Sequence, residues 1–290
     1  MVIPLHDDNP TRRRAVVTLA IIAINVIVFL LEPIRASAVA GGEARAACTT
    51  QAFFARWAAI PAEMTTNHQA DRVYLGPVAA GCVVGPPNYV KQPVLSVLTA
   101  MFLHGGWLHL LGNMLFLWIF GNNVEDRFGR MRYLLFYVFC GFVSAYGYAL
   151  SFPLSHTPLV GASGAIAGVL GAYAVLYPRA RVTTLVTVVP VRLPAWVVLG
   201  LWFLLQWFYS VANVSGSGGV AYIAHVYGFV AGLLIAVLVR MSRRGGIPPE
   251  SVHGNGFRGD LPVTLRRDRR GRLWTNTGTP GHPQGWRRNR

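Results

Sequence analysis

Six apolar runs, each roughly 17 to 26 residues long, occupy positions 15–31, 95–120, 133–152, 159–177, 194–211 and 220–239 of the chain. A helix needs about 20 apolar residues to cross a hydrocarbon core about 30 Å thick. Once in lipid, a segment must satisfy its own backbone hydrogen bonds. These runs therefore predict an all-α membrane protein with six spans, and a composition that is 53% hydrophobic agrees. The first run follows Arg12-Arg13-Arg14 like the core of a signal peptide. No small-x-small cleavage site follows Leu31 directly, and Ala36-Ser37-Ala38 is a poor one, so the run is read as a retained span.

The formal charge of +15 suggests a nucleic-acid binder until the charges are placed on these runs. With the amino terminus inside, the inner segments hold Arg12–Arg14, Arg127, Arg130, Arg132, Arg179, Arg181, Arg192 and every arginine from Arg240 onward. The short outer loops near Ser155 and Ser217 hold neither lysine nor arginine. That asymmetry puts both termini in the cytoplasm. The expected organisation is a cytoplasmic tail (1–14), a six-helix domain (15–240) with a long external loop (32–93), and a basic, disordered cytoplasmic tail (241–290). The last is suited to anionic headgroups of the inner leaflet, and no nucleic-acid partner is expected. Within the external loop, Phe53–Pro61 reads as a short amphipathic segment at the interface. Cys48 and Cys82 share that loop, and the sequence leaves their pairing open; Cys140 reads as an inert packing residue. The short helical core and the lack of an organelle-type presequence point to a bacterial inner membrane.

Spans two, four and six run in the same direction, so depth is counted back from their cytoplasmic ends. Ser163 lies about 24 Å above Arg179, His225 about 22 Å above Arg240, and His109 about 24 Å above Glu125; Asn113 sits one turn lower than His109. Four polar side chains on three helices thus share one layer. Intramembrane ionisable residues are functional candidates by default. A serine needs a base to become a nucleophile, and His225 is the one at its depth. All eleven acidic residues lie in loops, tails or helix ends, so the pair has no carboxylate third member, and packing against span four is expected to fix the imidazole. His109 and Asn113 are four apart and share a helix face, so their N–H groups are candidate oxyanion donors, together with the backbone N–H of Ser163. In span five, Gln206 is the one amide that reads as buried.

Other chemistries fit less well. His104 and His109 are five apart and do not share a face, and there is no HExxH motif and no intramembrane aspartate, so no metal is expected. His104 reads as structural. Gly161-Ala-Ser-Gly-Ala165 is not the GxSxG nucleophile elbow, which needs glycine where Ala165 stands. A proton or ion pathway through the histidine layer predicts conductance that survives loss of the serine.

The residues Gly161-Ala-Ser-Gly164, His104-Gly-Gly-Trp-Leu-His109-Leu-Leu-Gly-Asn113, Gly121-Asn-Asn-Val-Glu125 and Ala224-His225-Val-Tyr-Gly228 resemble the motifs of the rhomboid family of intramembrane serine proteases. The resemblance covers about residues 15–240. It implies a rhomboid-like six-helix bundle, a Ser163 nucleophile, a His225 base, oxyanion contacts from His109 and Asn113, and structural glycines at Gly161, Gly164 and Gly228. It also implies cleavage of transmembrane protein substrates in or near their membrane segments, without a cofactor. A catalytically silent member that only grips transmembrane helices is disfavoured, because serine and histidine are both present. Two departures stand out. Leu95 and Ser96 occupy positions where many bacterial members carry Trp-Arg. Ala167 stands where many place an aromatic ring against the base, leaving Tyr227 or Trp107 to substitute.

Overall fold

In a computed structural model, the described residues are 2–78, 81–186, 189–212, 220–242, 264–267, 273–276 and 287–288. Helix α1 spans Val16–Leu31, α2 Ile34–Trp57, α3 Pro61–Thr66, α4 Pro93–Ala100 and α5 Trp107–Phe116. A π-helical turn, Leu117–Gly121, joins α5 to α6, Asn122–Phe128. Four more helices follow: α7 Arg130–Ser151, α8 Ser163–Leu176, α9 Ala195–Ala212 and α10 Tyr222–Ser242. Among the described residues α7, α9 and α10 are long and apolar enough to cross a membrane, and α1 and α8 are shorter apolar helices. The second run is not one helix. It breaks between α4 and α5 at Gly105-Gly106, where two residues without a Cβ disfavour helical backbone.

Helix α8 lies at the centre. Every residue from Ala165 to Tyr173 is buried, the pattern of a helix covered on all sides. Its small residues permit this. A Cβ added at Gly228 would overlap the Gly164 carbonyl, one at Gly232 the Gly168 carbonyl, and one at Gly171 the Phe229 carbonyl. The α8 and α10 backbones therefore touch directly, the small-residue packing that membrane helices use in place of a hydrophobic drive. On the other side α7 brings Ser144 against Gly164, and the Ser144 hydroxyl donates to the Ala224 carbonyl at 2.7 Å, tying α7 to α10.

The segments between the helices hold more structure than the sequence suggests. The amino-terminal stretch read as a tail carries β1, Val2–Asp7, which pairs antiparallel with β4, Arg181–Val186; β4 pairs with β5, Val189–Pro194. The order β1-β4-β5 makes a small sheet at the carboxy-terminal end of α8 and the amino-terminal end of α9. Asp7 fastens it: one carboxylate oxygen accepts from Asn123 Nδ2 and from the Tyr173 hydroxyl, each at 2.7 Å. Burial raises the Asp7 carboxyl above its ordinary value, and the Tyr173 hydrogen bond only partly opposes this. Glu125 accepts from the backbone N–H groups of Val17 and Thr18 and from the Thr18 hydroxyl, satisfying donors that the first turn of α1 leaves free.

The 32–93 region contains α2, α3 and a hairpin of β2, Val73–Val78, with β3, Gly81–Gly85. The segment around Phe53 is the end of the long helix α2, not a separate short piece. A Cys48–Cys82 disulfide links α2 to β3. Lys91 pairs with Glu63 at 2.6 Å and donates to the Ala55 carbonyl at 2.9 Å, all in a buried setting. Burial lowers the Lys91 ammonium from its ordinary value, and the Glu63 carboxylate pulls the other way. The residues beyond 244 form a second unit; within it β6, Thr264–Arg267, β7, Leu273–Asn276, and β8, Arg287–Arg288, form an antiparallel sheet. Disorder of the basic tail does not anticipate these strands, and the rest of the tail lies outside the described residues, as does the loop at 215–219.

Candidate active site

Ser163 is the first residue of α8, and what sets its position is the loop before it. Leu159 exchanges two backbone hydrogen bonds with Ala59, at 2.7 and 3.2 Å, and the Gly161 N–H donates to the Ala100 carbonyl at 2.8 Å. The 32–93 region and the end of α4 thus hold the chain as it enters α8. Gly161 has φ +115°, a conformation that side chains disfavour. A Cβ there would also lie 2.7 Å from His109 Nε2. Glycine is required at Gly161 on both counts.

From α10, His225 reaches the serine: its Nε2 lies 2.8 Å from Ser163 Oγ. Both residues are partly exposed. They open onto a cavity of about 890 Å³ whose lining includes His109, Asn113, Gly161 and Ala224. A space of this size falls within the usual range of ligand-binding pockets, about 300–1,000 Å³. His109 and Asn113, from α5, both face Gly161, two residues before the serine. Asn113 Nδ2 also donates to His104 Nε2 at 2.9 Å, and the His104 backbone N–H donates to Glu32 Oε1 at 3.0 Å. His104 is fully buried and holds the Asn113 amide in place, leaving one amide hydrogen of Asn113 free of that bond.

Gly164 and Gly228 meet across the α8–α10 contact beneath the pair, with Gly228 against the Gly164 carbonyl. All seven residues singled out in the sequence thus lie around one cavity or directly under it. Two neighbours of the imidazole were not assigned that place. Gln206 on α9 brings Oε1 to 2.9 Å from His225 Nδ1. One turn away on the same helix, the Trp202 ring centroid is 6.0 Å from that of His225, inclined by 34°. The aromatic neighbour is therefore neither Tyr227 nor Trp107. The Tyr227 ring packs at Gly147 and its hydroxyl lies 3.2 Å from Ser151 Oγ, while Trp107 packs edge-on against Phe29. Ala167 has no ring to offer, and its methyl is fully buried where α8 faces Gly228. The imidazole is flanked by α9 as well as α8, which corrects the expectation that span four alone holds it. The signal for Gln206 was present in the sequence as a lone amide in an apolar span; its partner was not.

Chemically, the arrangement offers a hydroxyl in contact with an imidazole nitrogen, at the positive end of a helix, beside two N–H-bearing side chains. The Rhomboid domain family model matches residues 91–242, which include all of these groups. Rhomboid protease GluP of Bacillus subtilis is 33% identical over 149 residues, 51% of this chain and 27% of that protein. Rhomboid protein 1, mitochondrial, of Saccharomyces cerevisiae is 32% identical over 153 residues, 51% of this chain and 42% of that protein. RHOMBOID-like protein 6, mitochondrial, of Arabidopsis thaliana is 31% identical over 153 residues, covering 52% and 45%. The chain spans less than half the length of each of these relatives. With more than half of its own length matched by the Rhomboid domain, and with apolar helices to suit, this chain is an integral membrane protein of the rhomboid family.

Proposed function

We propose that the protein is an intramembrane serine endopeptidase that cleaves transmembrane protein substrates in or near their membrane segments. The observation that carries this reading is the 2.8 Å approach of His225 Nε2 to Ser163 Oγ beside a cavity wide enough for a peptide. Ser163 attacks the scissile carbonyl, and His225 takes its proton and returns it to the leaving amine. Negative charge on the carbonyl oxygen is met by His109, Asn113 and the Ser163 backbone N–H. The acyl-enzyme is then hydrolysed by water that His225 activates. No cofactor takes part. The names of the relatives, two of them mitochondrial, support rhomboid chemistry without selecting a compartment.

The catalytic domain spans residues 15–240 as a six-helix bundle in which α1, α5 with α6, α7, α8, α9 and α10 cross the bilayer. The 32–93 region lies outside, and the 1–14 and 241–290 segments lie in the cytoplasm. The distribution of arginines supports this orientation, and a bacterial inner membrane is its setting. The basic carboxy-terminal segment meets anionic headgroups. The test is a tethered transmembrane reporter: Ser163→Ala and His225→Ala each abolish its cleavage while the protein still inserts. Cleavage that persists in Ser163→Ala overturns the proposal.

A further inference from the structure

The mechanism above asks His225 Nε2 to hold a lone pair facing Ser163, yet a neutral imidazole carries one N–H and is free to put it on either nitrogen. With the proton on Nε2, the ring donates to the serine and cannot accept its hydrogen. Something must hold that proton on Nδ1. The hydrogen-bond partner of Nδ1 is Gln206 Oε1 on α9, at 2.9 Å, while Nε2 faces Ser163 at 2.8 Å. An amide oxygen at Nδ1 selects the tautomer that leaves Nε2 free to accept. We infer that Gln206 is the positioning residue for the base, so that α8, α10 and α9 together form a Ser163–His225–Gln206 relay of contacts. The inference rests on the protease reading of the same site.

Three observations point the same way. Gln206 is the one amide on a stretch of α9 otherwise built of Trp, Phe, Leu and Tyr, and its oxygen lies against the imidazole. Trp202, four residues earlier on the same helix face, lies beside the same ring and near-parallel to Phe229 at 6.0 Å, 29°. The amide and the indole thus bear on one imidazole from one helix, fixing its tilt as well as its tautomer. Finally, an uncharged acceptor suits this depth. A carboxylate at Nδ1 has to be desolvated in the membrane, whereas an amide dipole has a much smaller desolvation cost. Gln206 does not touch the scissile bond, so its effect passes entirely through His225.

The experiment uses the full chain in lipid nanodiscs with ¹⁵N-labelled histidine. Imidazole nitrogen shifts of His225 report its tautomer, and reporter cleavage gives kcat and KM. The variants are Gln206→Met, which keeps length and removes the acceptor, and Gln206→Glu, which keeps an oxygen there. Wild type is expected to show the Nδ1–H tautomer. Gln206→Met is expected to lose that preference and to lower kcat about tenfold with little change in KM, the scale of one hydrogen bond. Gln206→Glu is expected to retain the tautomer and most of kcat. Wild-type shifts and kcat in Gln206→Met, or equal losses in both variants, overturn the inference. The shifts are read without substrate and judge the contact on their own. A wild type that cleaves nothing overturns the protease reading itself, whereas the failure of this inference appears only between wild type and Gln206→Met.

Discussion

The α8–α10 contact and helix α9 bear on the same imidazole but are built on opposite plans. Between α8 and α10, glycines at Gly164, Gly168, Gly171, Gly228 and Gly232 bring backbone against backbone, with no side chain between them. By contrast, only 17% of the apolar stretch of α9 is buried, against 39% for α10, and Leu204, Leu205, Trp207 and Phe208 face outward. Ser163 and His225 thus sit on a helix pair in backbone contact, where a shift of an ångström is resisted by backbone overlap. Gln206 sits on a helix whose buried residues, Ala195, Val198 and Leu199, are confined to its amino-terminal part. Precision in the Ser163–His225 distance comes from packing, and precision in the imidazole tautomer from one hydrogen bond.

The sharpest way to break this contrast is to put a side chain into the glycine contact. Gly232→Val, two turns below His225, meets the Gly168 backbone and has no soft neighbour to displace. It is expected to destabilise the protein by about 3 kcal/mol or more and to abolish cleavage, read by thermal unfolding in detergent and by the reporter. Phe208→Ala on the outward face of α9 is the control and should shift stability by no more than about 0.5 kcal/mol. Equal effects of the two would erase the distinction.

A second change sharpens the picture on the third helix of the site. Asn113→Ala removes an N–H facing Gly161 and leaves the Ser163–His225 contact in place. It is expected to cost about 10²-fold in kcat with the protein still folded, the usual scale for one oxyanion donor. Wild-type kcat in this variant would remove Asn113 from the site.

The smallest expected effect lies at the carboxy-terminal end of α8, where Asp7 binds Tyr173. Its carboxyl is raised by burial, so its stabilising contribution is full below the ordinary value of 3.8 and is lost as pH rises through the raised native value. Asp7→Asn keeps an acceptor for Tyr173 and Asn123 and is expected to flatten the stability profile at pH values above 3.8. Asp7→Ala leaves those donors without it and is expected to cost about 1–3 kcal/mol throughout, by the same unfolding measurement.

The sequence carried the apolar runs and the shared depth of His109, Asn113, Ser163 and His225, because both depend on helical rise alone. It did not carry contacts that depend on how one helix is rotated against another, and Gln206 and Trp202 belong to that class. Pairing of β1 with β4 was hidden for a different reason: helices α1 to α8 separate the partners in the chain, and no local pattern encodes the register. The β-branched residues of 181–191 are a strand signal legible in the sequence. The helices and hairpin within 32–93 lie in a stretch whose pattern reads as a long loop, because its apolar residues are too sparse for a span.

The central claim is that His225 makes Ser163 a nucleophile, and a fluorophosphonate probe tests it without knowledge of any substrate. In liposomes, the probe is expected to label the wild-type protein at Ser163, located by mass spectrometry of the peptide that bears it. Labelling is expected to vanish in Ser163→Ala and to fall to background in His225→Ala. A folded wild type that stays unlabelled, or one labelled as fast without His225 as with it, would contradict the account.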